Sequence, residues 1–181
     1  MPESLASLPK QSAVLSFKSI YGDPRNKTNA SLVNQKWYAD NLVPIRPAYQ
    51  LYYSGIPVKT VRIHRACAPH FSHLFLSLWI AAKEKQATVD QWGVSIFGGS
   101  FNYRLMRGLN TLSMHSFGCA IDLDPVRNGL NDATPRFAEF PEVMKAFRDS
   151  GLTWGGDWDG NGSSADERRC DGMHLQATVG F

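Results

Sequence analysis

The sequence predicts one α+β domain, and three observations support this prediction. The chain has 181 residues, a length typical of a single domain. Its hydrophobic fraction of 43% suffices for a buried core and excludes a chain that is disordered throughout. Helix and strand patterns alternate with irregular loops but lack a regular βαβ rhythm, which favours α+β over a doubly wound parallel sheet.

The N-terminal third of the chain contains few regular patterns. We expect residues 1–13 to be a flexible N-terminus and residues 14–181 to form the domain. Glycine, proline and asparagine punctuate residues 21–29, which predicts turns there. Apolar and polar residues alternate over residues 58–63, which predicts a half-buried strand.

The clearest helix is predicted over residues 69–86. Its apolar side chains recur at helical spacing, at Phe71, Leu74, Phe75 and Leu78. Pro69 suits the first turn of this helix, where its missing N–H costs nothing. Residues 94–97 form a short apolar run followed by two glycines, which predicts a strand that ends at them.

The C-terminal half predicts further strands around one helix. Residues 120–123 are an apolar run interrupted by one aspartate, which indicates a strand. Residues 141–150 predict a helix that Gly151 ends, since glycine readily adopts the left-handed conformation found after many helices. Residues 152–154 and 173–177 are predicted to be the last strands.

The charge and hydropathy patterns exclude two classes of protein. With 19 Lys and Arg against 16 Asp and Glu, the net charge is +3, and no basic stripe is present, so we expect no nucleic-acid partner. No apolar run approaches the ~18 residues of a membrane span. The first residues lack the basic and apolar regions of a secretory signal, so we expect no signal peptide.

Cysteines and a group of histidines have ordinary structural interpretations. The three cysteines do not indicate a disulfide framework, and we expect reduced thiols, while one bridge with one free thiol fits the count as well. One of them, Cys67, stands near His64, His70 and His73. No further ligand of matching spacing follows, so we expect buried or surface histidines there rather than a second metal site. The cysteines are Cys67, Cys119 and Cys170.

Two motifs in the C-terminal half indicate metal chemistry. Residues 113–122 read S-x-H-x-x-G-x-A-x-D, and residues 171–174 read D-x-x-H. His115, Asp122 and His174 supply imidazole nitrogens and a carboxylate oxygen, which suit zinc. Three protein ligands leave a fourth position for water, as in catalytic zinc sites.

Hydrolysis of an amide needs two further groups. One is a general base for the attacking water, and Asp171 is the candidate because it lies three residues before a ligand. The other is a donor for the developing oxyanion, and Arg104 is the candidate because a guanidinium stays charged.

The motifs resemble those of the zinc D-alanyl-D-alanine carboxypeptidase and L-alanyl-D-glutamate endopeptidase family, which includes many phage endolysins. The resemblance covers about residues 14–177, and the ordered set of motifs is more specific than any one of them. A weaker match at residues 61–71 resembles the segment before the family's first helix. The main matching segments are residues 98–108, 112–125, 151–158 and 171–176.

The resemblance implies a fold, a site and a substrate. The implied fold is the α+β one shared with Hedgehog signalling domains, a small antiparallel sheet with flanking helices. By position, His115, Asp122 and His174 match the zinc ligands, Asp171 the catalytic acid/base, and Arg104 the arginine at the substrate carbonyl. The implied partner is bacterial peptidoglycan, whose stem peptides would be the substrate.

The resemblance favours an L-Ala–D-Glu endopeptidase acting as a phage or prophage endolysin. Such a protein would be a monomer that accumulates in the host cytoplasm until it reaches the wall. A D-alanyl-D-alanine carboxypeptidase acting on cell-wall precursors is the alternative, with Arg62, Arg65 and Arg107 as possible partners of a terminal carboxylate. A non-catalytic cell-wall-binding module of the same fold is the third possibility.

Several residues near the motifs have two interpretations. Ser113, Trp154 and Trp158 are candidates for the wall of a substrate groove. Residues 157–162 read D-x-D-G-N-G, the front half of a calcium loop, but its twelfth position is not the usual glutamate. Calcium at this loop and an ordinary acidic turn therefore both stay open. The candidate calcium ligands are Asp157, Asp159 and Asn161.

Overall fold

A computed structural model describes residues 5–10 and 14–179. Five short helices and eight short strands follow one another, with 3₁₀ turns at Met114–Phe117 and Arg136–Glu139. This mixed architecture confirms the predicted α+β class. In chain order the elements are α1 (Val14–Tyr21), α2 (Gln35–Asn41), β1 (Leu42–Ile45), β2 (Leu51–Tyr53), β3 (Ile56–Val58), β4 (Val61–His64), α3 (Ala68–Ala81), α4 (Gln86–Trp92), β5 (Phe97–Gly99), β6 (Ala120–Leu123), α5 (Pro141–Asp149), β7 (Thr153–Trp154) and β8 (His174–Gln176).

The central sheet has four antiparallel strands in the order β5-β6-β8-β7. β1 pairs with β4, and β2 pairs with β3 in a hairpin. An isolated parallel bridge joins Tyr52 of β2 to Ile96, just before β5. The hairpin therefore lies beside the β5 edge of the central sheet.

Two helices pack against the central sheet and form the core. α3 contributes a fully buried stripe of four residues at helical spacing, Phe71, Leu74, Phe75 and Leu78. α5 packs against α3 and buries Val143, Ala146 and Phe147. The sheet buries Ile121, Leu123 and Leu175 against them.

The predicted elements are confirmed best where the sequence pattern is local. The strand at residues 120–123 has the predicted bounds, and α5 ends at Ser150 and a left-handed Gly151 as expected. By contrast, the strand predicted over residues 58–63 is wrong as one element, because the chain breaks into β3 and β4 around residues 59–60.

Two further predictions need correction. The helix predicted to reach residue 86 ends at Ala81, because Lys83 and Glu84 have positive φ, and a separate helix, α4, begins at Gln86. The strand predicted over residues 94–97 begins only at Phe97 and continues through both glycines. Short elements stabilised by distant partners leave weak local patterns, and α2 was missed for the same reason.

The described part of the N-terminal segment contacts the core. The carbonyl oxygen of Ala6 lies 2.9 Å from Nε2 of His70, and the Val179 N–H donates to the Pro9 carbonyl at 3.0 Å. Residues 1–4 and 11–13 of the N-terminus that was expected to be flexible lie outside the described residues. No helix within residues 5–10 and 14–179 is long and apolar enough to cross a membrane.

Candidate metal centre

Two of the three candidate ligands are cross-strand neighbours in the central sheet. Asp122 of β6 and His174 of β8 are directly paired in the antiparallel register. Directly opposed residues project from the same face, so both side chains reach the same point above the sheet. The two motifs are far apart in sequence, and the β6–β8 pairing brings them together.

The third candidate ligand, His115, lies on the 3₁₀ turn that precedes β6. Ser113 caps this turn, since its Oγ accepts the His115 N–H. Gly118 ends the turn at φ +67°, and a Cβ there would lie 2.5 Å from Leu42 Cδ2. The serine and glycine of the motif therefore shape the turn that presents His115.

The three side chains converge on one point. His115 Nε2 lies 3.2 Å from His174 Nδ1 and 3.2 Å from Asp122 Oδ1, and His174 Nδ1 lies 3.1 Å from the same carboxylate oxygen. An ion about 2.0 Å from three donors in tetrahedral geometry separates those donors by about 3.3 Å. The triangle of donors therefore has nearly the size that a zinc ion requires.

Hydrogen bonds on the far side of each imidazole fix which nitrogen faces this point. His115 Nδ1 lies 2.6 Å from the Ser100 carbonyl oxygen, which can only accept a proton. His174 Nε2 lies 3.1 Å from Gln176 Oε1, whose amide is oriented by a bond from its Nε2 to Thr178 Oγ1. In the neutral rings, both facing nitrogens therefore present lone pairs, which is the arrangement a metal needs.

The electrostatics of this cluster favour a bound cation. Burial would raise the pKa of Asp122, but the two adjacent imidazoles outweigh it and hold this pKa below its ordinary value. Burial would likewise lower the pKa of His174, but hydrogen bonding and attraction to Asp122 raise it. The carboxylate therefore attracts positive charge to this point, and a divalent ion would displace the proton held there. The donor set fits zinc on both chemistry and geometry.

Asp171 lines a cavity that is also lined by His115, Asp122 and His174. Its backbone is fixed, because its N–H donates to Gly155 O at 2.7 Å and its carbonyl accepts the His174 N–H at 2.9 Å. Its Oδ1 is buried and has no hydrogen-bond partner among the described residues. Burial raises the pKa of Asp171, with His174 opposing and Asp122 adding to the rise. A carboxylate with an uncommitted oxygen and a raised pKa suits proton transfer.

Arg104 is solvent exposed and lines a cavity together with His115 and Asp122. Its backbone is anchored by the buried hydroxyl of Ser116, which accepts the Arg104 N–H at 2.9 Å and lies 2.7 Å from the Arg104 carbonyl oxygen. Its guanidinium donates to the Leu105 carbonyl at 3.2 Å. Ser116 therefore links the backbone of Arg104, the candidate oxyanion donor, to the 3₁₀ turn that carries His115.

Two cavities meet at the candidate metal centre. The larger has a volume of about 730 Å³ and the smaller about 230 Å³. Arg104, His115 and Asp122 line both of them. The cluster therefore lies at the junction of a cleft that continues in two directions.

The three residues expected to line a substrate groove divide into two groups. Ser113 and Trp158 line the larger cavity, and the Trp158 ring centroid lies 5.8 Å from that of His174. Trp154 does not line it, contrary to expectation. Its indole is buried against Phe147, and its Nε1–H donates to the Gly172 carbonyl at 2.7 Å, so it belongs to the core.

The acidic loop expected to bind calcium brings Asp157 and Asp159 together with Glu167, and the third expected ligand, Asn161, lies beside Asp159. The Asn161 side-chain amide donates to both Asp159 and Asp166. Asp157 Oδ2 accepts the Gly162 N–H, and Glu167 Oε1 accepts two backbone N–H groups. Most of the oxygens are thus engaged within the loop, and calcium binding here stays a prediction.

Sequence reasoning missed the residues that support the ligands. Gln176 lies two residues after His174 in β8, so the period of a strand could have placed both side chains on one face. Ser116 follows His115 directly, but its partner Arg104 is distant along the chain. No sequence pattern indicated Tyr53, because only the position of the β2–β3 hairpin brings it to the smaller cavity.

One comparison with known proteins finds a match to this part of the chain. A family model described as D-alanyl-D-alanine carboxypeptidase matches residues 107–177, which include His115, Asp122, Asp171 and His174 but not Arg104. No curated protein and no solved structure matches the chain. The match supports a peptidase that acts on peptidoglycan, and it does not distinguish a carboxypeptidase from an endopeptidase.

Proposed function

We propose that the protein is a zinc-dependent endopeptidase that hydrolyses peptidoglycan stem peptides. The observation that carries the proposal is the convergence of three lone-pair donors, from His115, Asp122 and His174, at the junction of two cavities. Imidazole and carboxylate ligands leave room for water at the ion. Zinc, when bound, polarises a carbonyl and lowers the pKa of water towards neutrality.

In this proposal the chain's own residues position the substrate and move the proton. Asp171 takes a proton from the attacking water through its uncommitted Oδ1 and passes it to the leaving amine. The Arg104 guanidinium donates hydrogen bonds to the oxygen that becomes negative as the carbonyl is attacked. Gln176 and the Ser100 carbonyl hold the two imidazoles in orientation.

The cavities favour an endopeptidase because two of them, with different linings, adjoin at the centre. An endopeptidase must accommodate peptide on each side of the scissile bond, whereas a carboxypeptidase needs room for one terminal residue on one side. We propose the L-Ala–D-Glu bond as the site of cleavage, and a monomeric phage or prophage endolysin as the biological role. These two assignments rest on the motif resemblance.

A D-alanyl-D-alanine carboxypeptidase is the second candidate, and it is the activity by which the matching family model is described. Of the arginines considered for a terminal carboxylate, Arg107 lines the larger cavity. Arg62 and Arg65 line neither cavity, and the Arg62 guanidinium lies over the Tyr38 ring at 5.4 Å. Arg107 alone of the three is therefore placed to bind such a group.

Mass spectrometry of digested peptidoglycan separates the candidates. The zinc-loaded protein is incubated with purified wall, with Asp171→Asn as the control. An endopeptidase releases fragments with a new amino terminus on D-Glu, whereas a carboxypeptidase shortens stem peptides by one D-Ala. If wild type releases neither kind of product, the protein is a non-catalytic module and the proposal is wrong.

A further inference from the structure

The larger cavity is lined by charged side chains of both signs, four arginines and five acidic residues, with Asp122 and Asp171 among the acids. Four arginines line it, and none of them is within ion-pair distance of a carboxylate in the described part of the chain, although Asp159, Asp166 and Glu167 line the same cavity. Those acidic side chains accept hydrogen bonds from their own loop. The arginines are Arg104, Arg107, Arg168 and Arg169.

Two loops bring these guanidinium groups to one side of the centre. The Arg169 side chain donates from Nη2 to the Arg107 carbonyl oxygen at 3.3 Å, so the loop before the 3₁₀ turn touches the loop before β8. The Arg107 and Arg168 guanidinium groups have no hydrogen-bond acceptor among the described residues. Guanidinium groups without an internal partner are suited to bind a carboxylate from outside.

The smaller cavity has a different character. It has about a third of the volume of the larger one, and its lining away from the centre is Tyr53 and residues 98–102. Gly98 packs closely on the ligand strand, because a Cβ there would lie 3.0 Å from Asp122 Cβ. Gly99, at φ +146°, has open space where a Cβ would project. This groove is therefore small, includes aromatic and glycine residues in its lining, and suits a small uncharged residue.

From these differences we propose that the substrate peptide binds across the centre in a single orientation. Its small uncharged residue lies in the Tyr53 groove, and the residue on the other side of the scissile bond places a free carboxylate among the arginines of the larger cavity. The assignment rests on the proposed function and makes it specific, since alanine fits the first position and glutamate the second.

The proposed contact between the substrate carboxylate and the arginines is tested by measuring binding without turnover. Isothermal titration calorimetry uses the zinc-loaded Asp171→Asn protein with L-Ala-D-Glu-L-Lys and with an analogue whose free D-Glu carboxylate is a carboxamide. We expect the carboxylate peptide to bind about tenfold more tightly. The double variant Arg107→Gln/Arg168→Gln should reduce this preference below about threefold.

The matched control is Arg46→Gln/Arg148→Gln, which makes the same change in charge at exposed arginines that line neither cavity. It should keep the tenfold preference. Equal binding of the two peptides to the zinc-loaded Asp171→Asn protein, the parent of these variants, would overturn the proposal. An equal loss of affinity for both peptides in the Arg107→Gln/Arg168→Gln variant would also overturn it. Thermal melting confirms that each variant is folded.

The proposed preference of the Tyr53 groove for a small residue is tested with a peptide in which L-Phe replaces L-Ala. We expect the parent protein to bind it at least about tenfold more weakly than the alanine peptide, and Tyr53→Ala to recover most of the loss. Tyr52→Ala is the control, because its side chain leaves the same strand from the other face and does not line the groove. Equal binding of both peptides to the parent would contradict the assignment.

These measurements distinguish failure of this inference from failure of the proposed function. If the carboxylate and size preferences appear while wild type cuts no bond in peptidoglycan, the orientation stands and the endopeptidase proposal is wrong. If wild type cuts the wall but neither preference appears, the orientation is wrong. If neither peptide binds the zinc-loaded protein, the orientation is also wrong.

Discussion

The chain contains two groups of histidines, and only one of them has the arrangement of a metal site. At the candidate metal centre, His115 Nε2 and His174 Nδ1 lie within 3.2 Å of each other and of Asp122 Oδ1. Around α3, both nitrogens of His70 lie against carbonyl oxygens, those of Ser150 at 2.8 Å and Ala6 at 2.9 Å. His64 Nδ1 accepts the Ala66 N–H at 3.1 Å. At His70 and at His64 Nδ1, backbone atoms thus take the places that a metal would need.

A carboxylate makes the difference between these two groups. Burial lowers the pKa of His64 to about 4, and no acidic side chain counteracts it. His174 is also buried, yet Asp122 raises its pKa above the ordinary value. The same side chain in two buried places thus responds in opposite directions. Spacing of His and Cys residues is therefore a weaker indication of a metal site than a histidine paired with a buried acid.

The largest effect is expected at Asp171. Asp171→Asn should reduce hydrolysis of peptidoglycan by about a thousandfold, because it removes the group that accepts the proton from water. Zinc content should stay near one per chain, since Asp171 is not one of the three converging donors. Turnover and elemental analysis on the same sample check both expectations. Retained wall hydrolysis would show that another group is the base.

The next effect concerns the support of His174 by Gln176. Gln176→Met removes the acceptor for the His174 Nε2 proton and should weaken zinc binding by about 10- to 100-fold, measured by competition with a chelator. Gln176→Glu keeps an acceptor oxygen and should retain most of the affinity. Equal losses in the two variants would mean that Gln176 acts only through packing.

A smaller effect follows from the low pKa of His64. The unfolded chain binds a proton near pH 6.5, which the folded chain binds only near pH 4. The free energy of unfolding should therefore fall as the pH drops through this window, by at most about 1.4 kcal/mol per pH unit. Urea unfolding of the metal-free protein between pH 7 and 4.5 measures this slope. His64→Gln should have the shallower slope, and parallel curves would contradict the assignment.

The smallest effect is expected at the acidic loop of residues 157–162. Because its carboxylates already accept hydrogen bonds within the loop, millimolar calcium should shift Tm by less than about 1 °C. A clear rise in Tm that Asp159→Asn abolishes would instead establish the calcium site that the sequence pattern suggests.

The sequence predicted the positions that local rules determine. The spacing within S-x-H-x-x-G-x-A-x-D reflects one continuous piece of structure, a capped 3₁₀ turn followed by a strand, so His115 and Asp122 could be found together. His174 could be added because the D-x-x-H motif belongs to the ordered set of motifs that the resemblance covers, and the structure shows that its strand pairs with β6. The bounds of β6 and α5 were predictable because their patterns are local.

Features that depend on distant contacts were not predictable. The orientation of Trp154 into the core follows from Phe147 and Gly172, which no local pattern relates to it. The position of Tyr53 follows from the bridge between Tyr52 and Ile96. The break between β3 and β4 follows from their pairing with different partners, β2 and β1. Each of these features shapes the cavities or the core rather than the group of three converging side chains.

The most direct test is the zinc stoichiometry of the purified protein beside Asp122→Ala and His70→Gln, measured by elemental analysis after dialysis against buffer free of chelator. We expect about one zinc per chain in wild type and in His70→Gln, whose imidazole binds backbone carbonyls, and none in Asp122→Ala. Zinc retained after loss of Asp122, or lost with His70, would contradict the assignment of the metal centre.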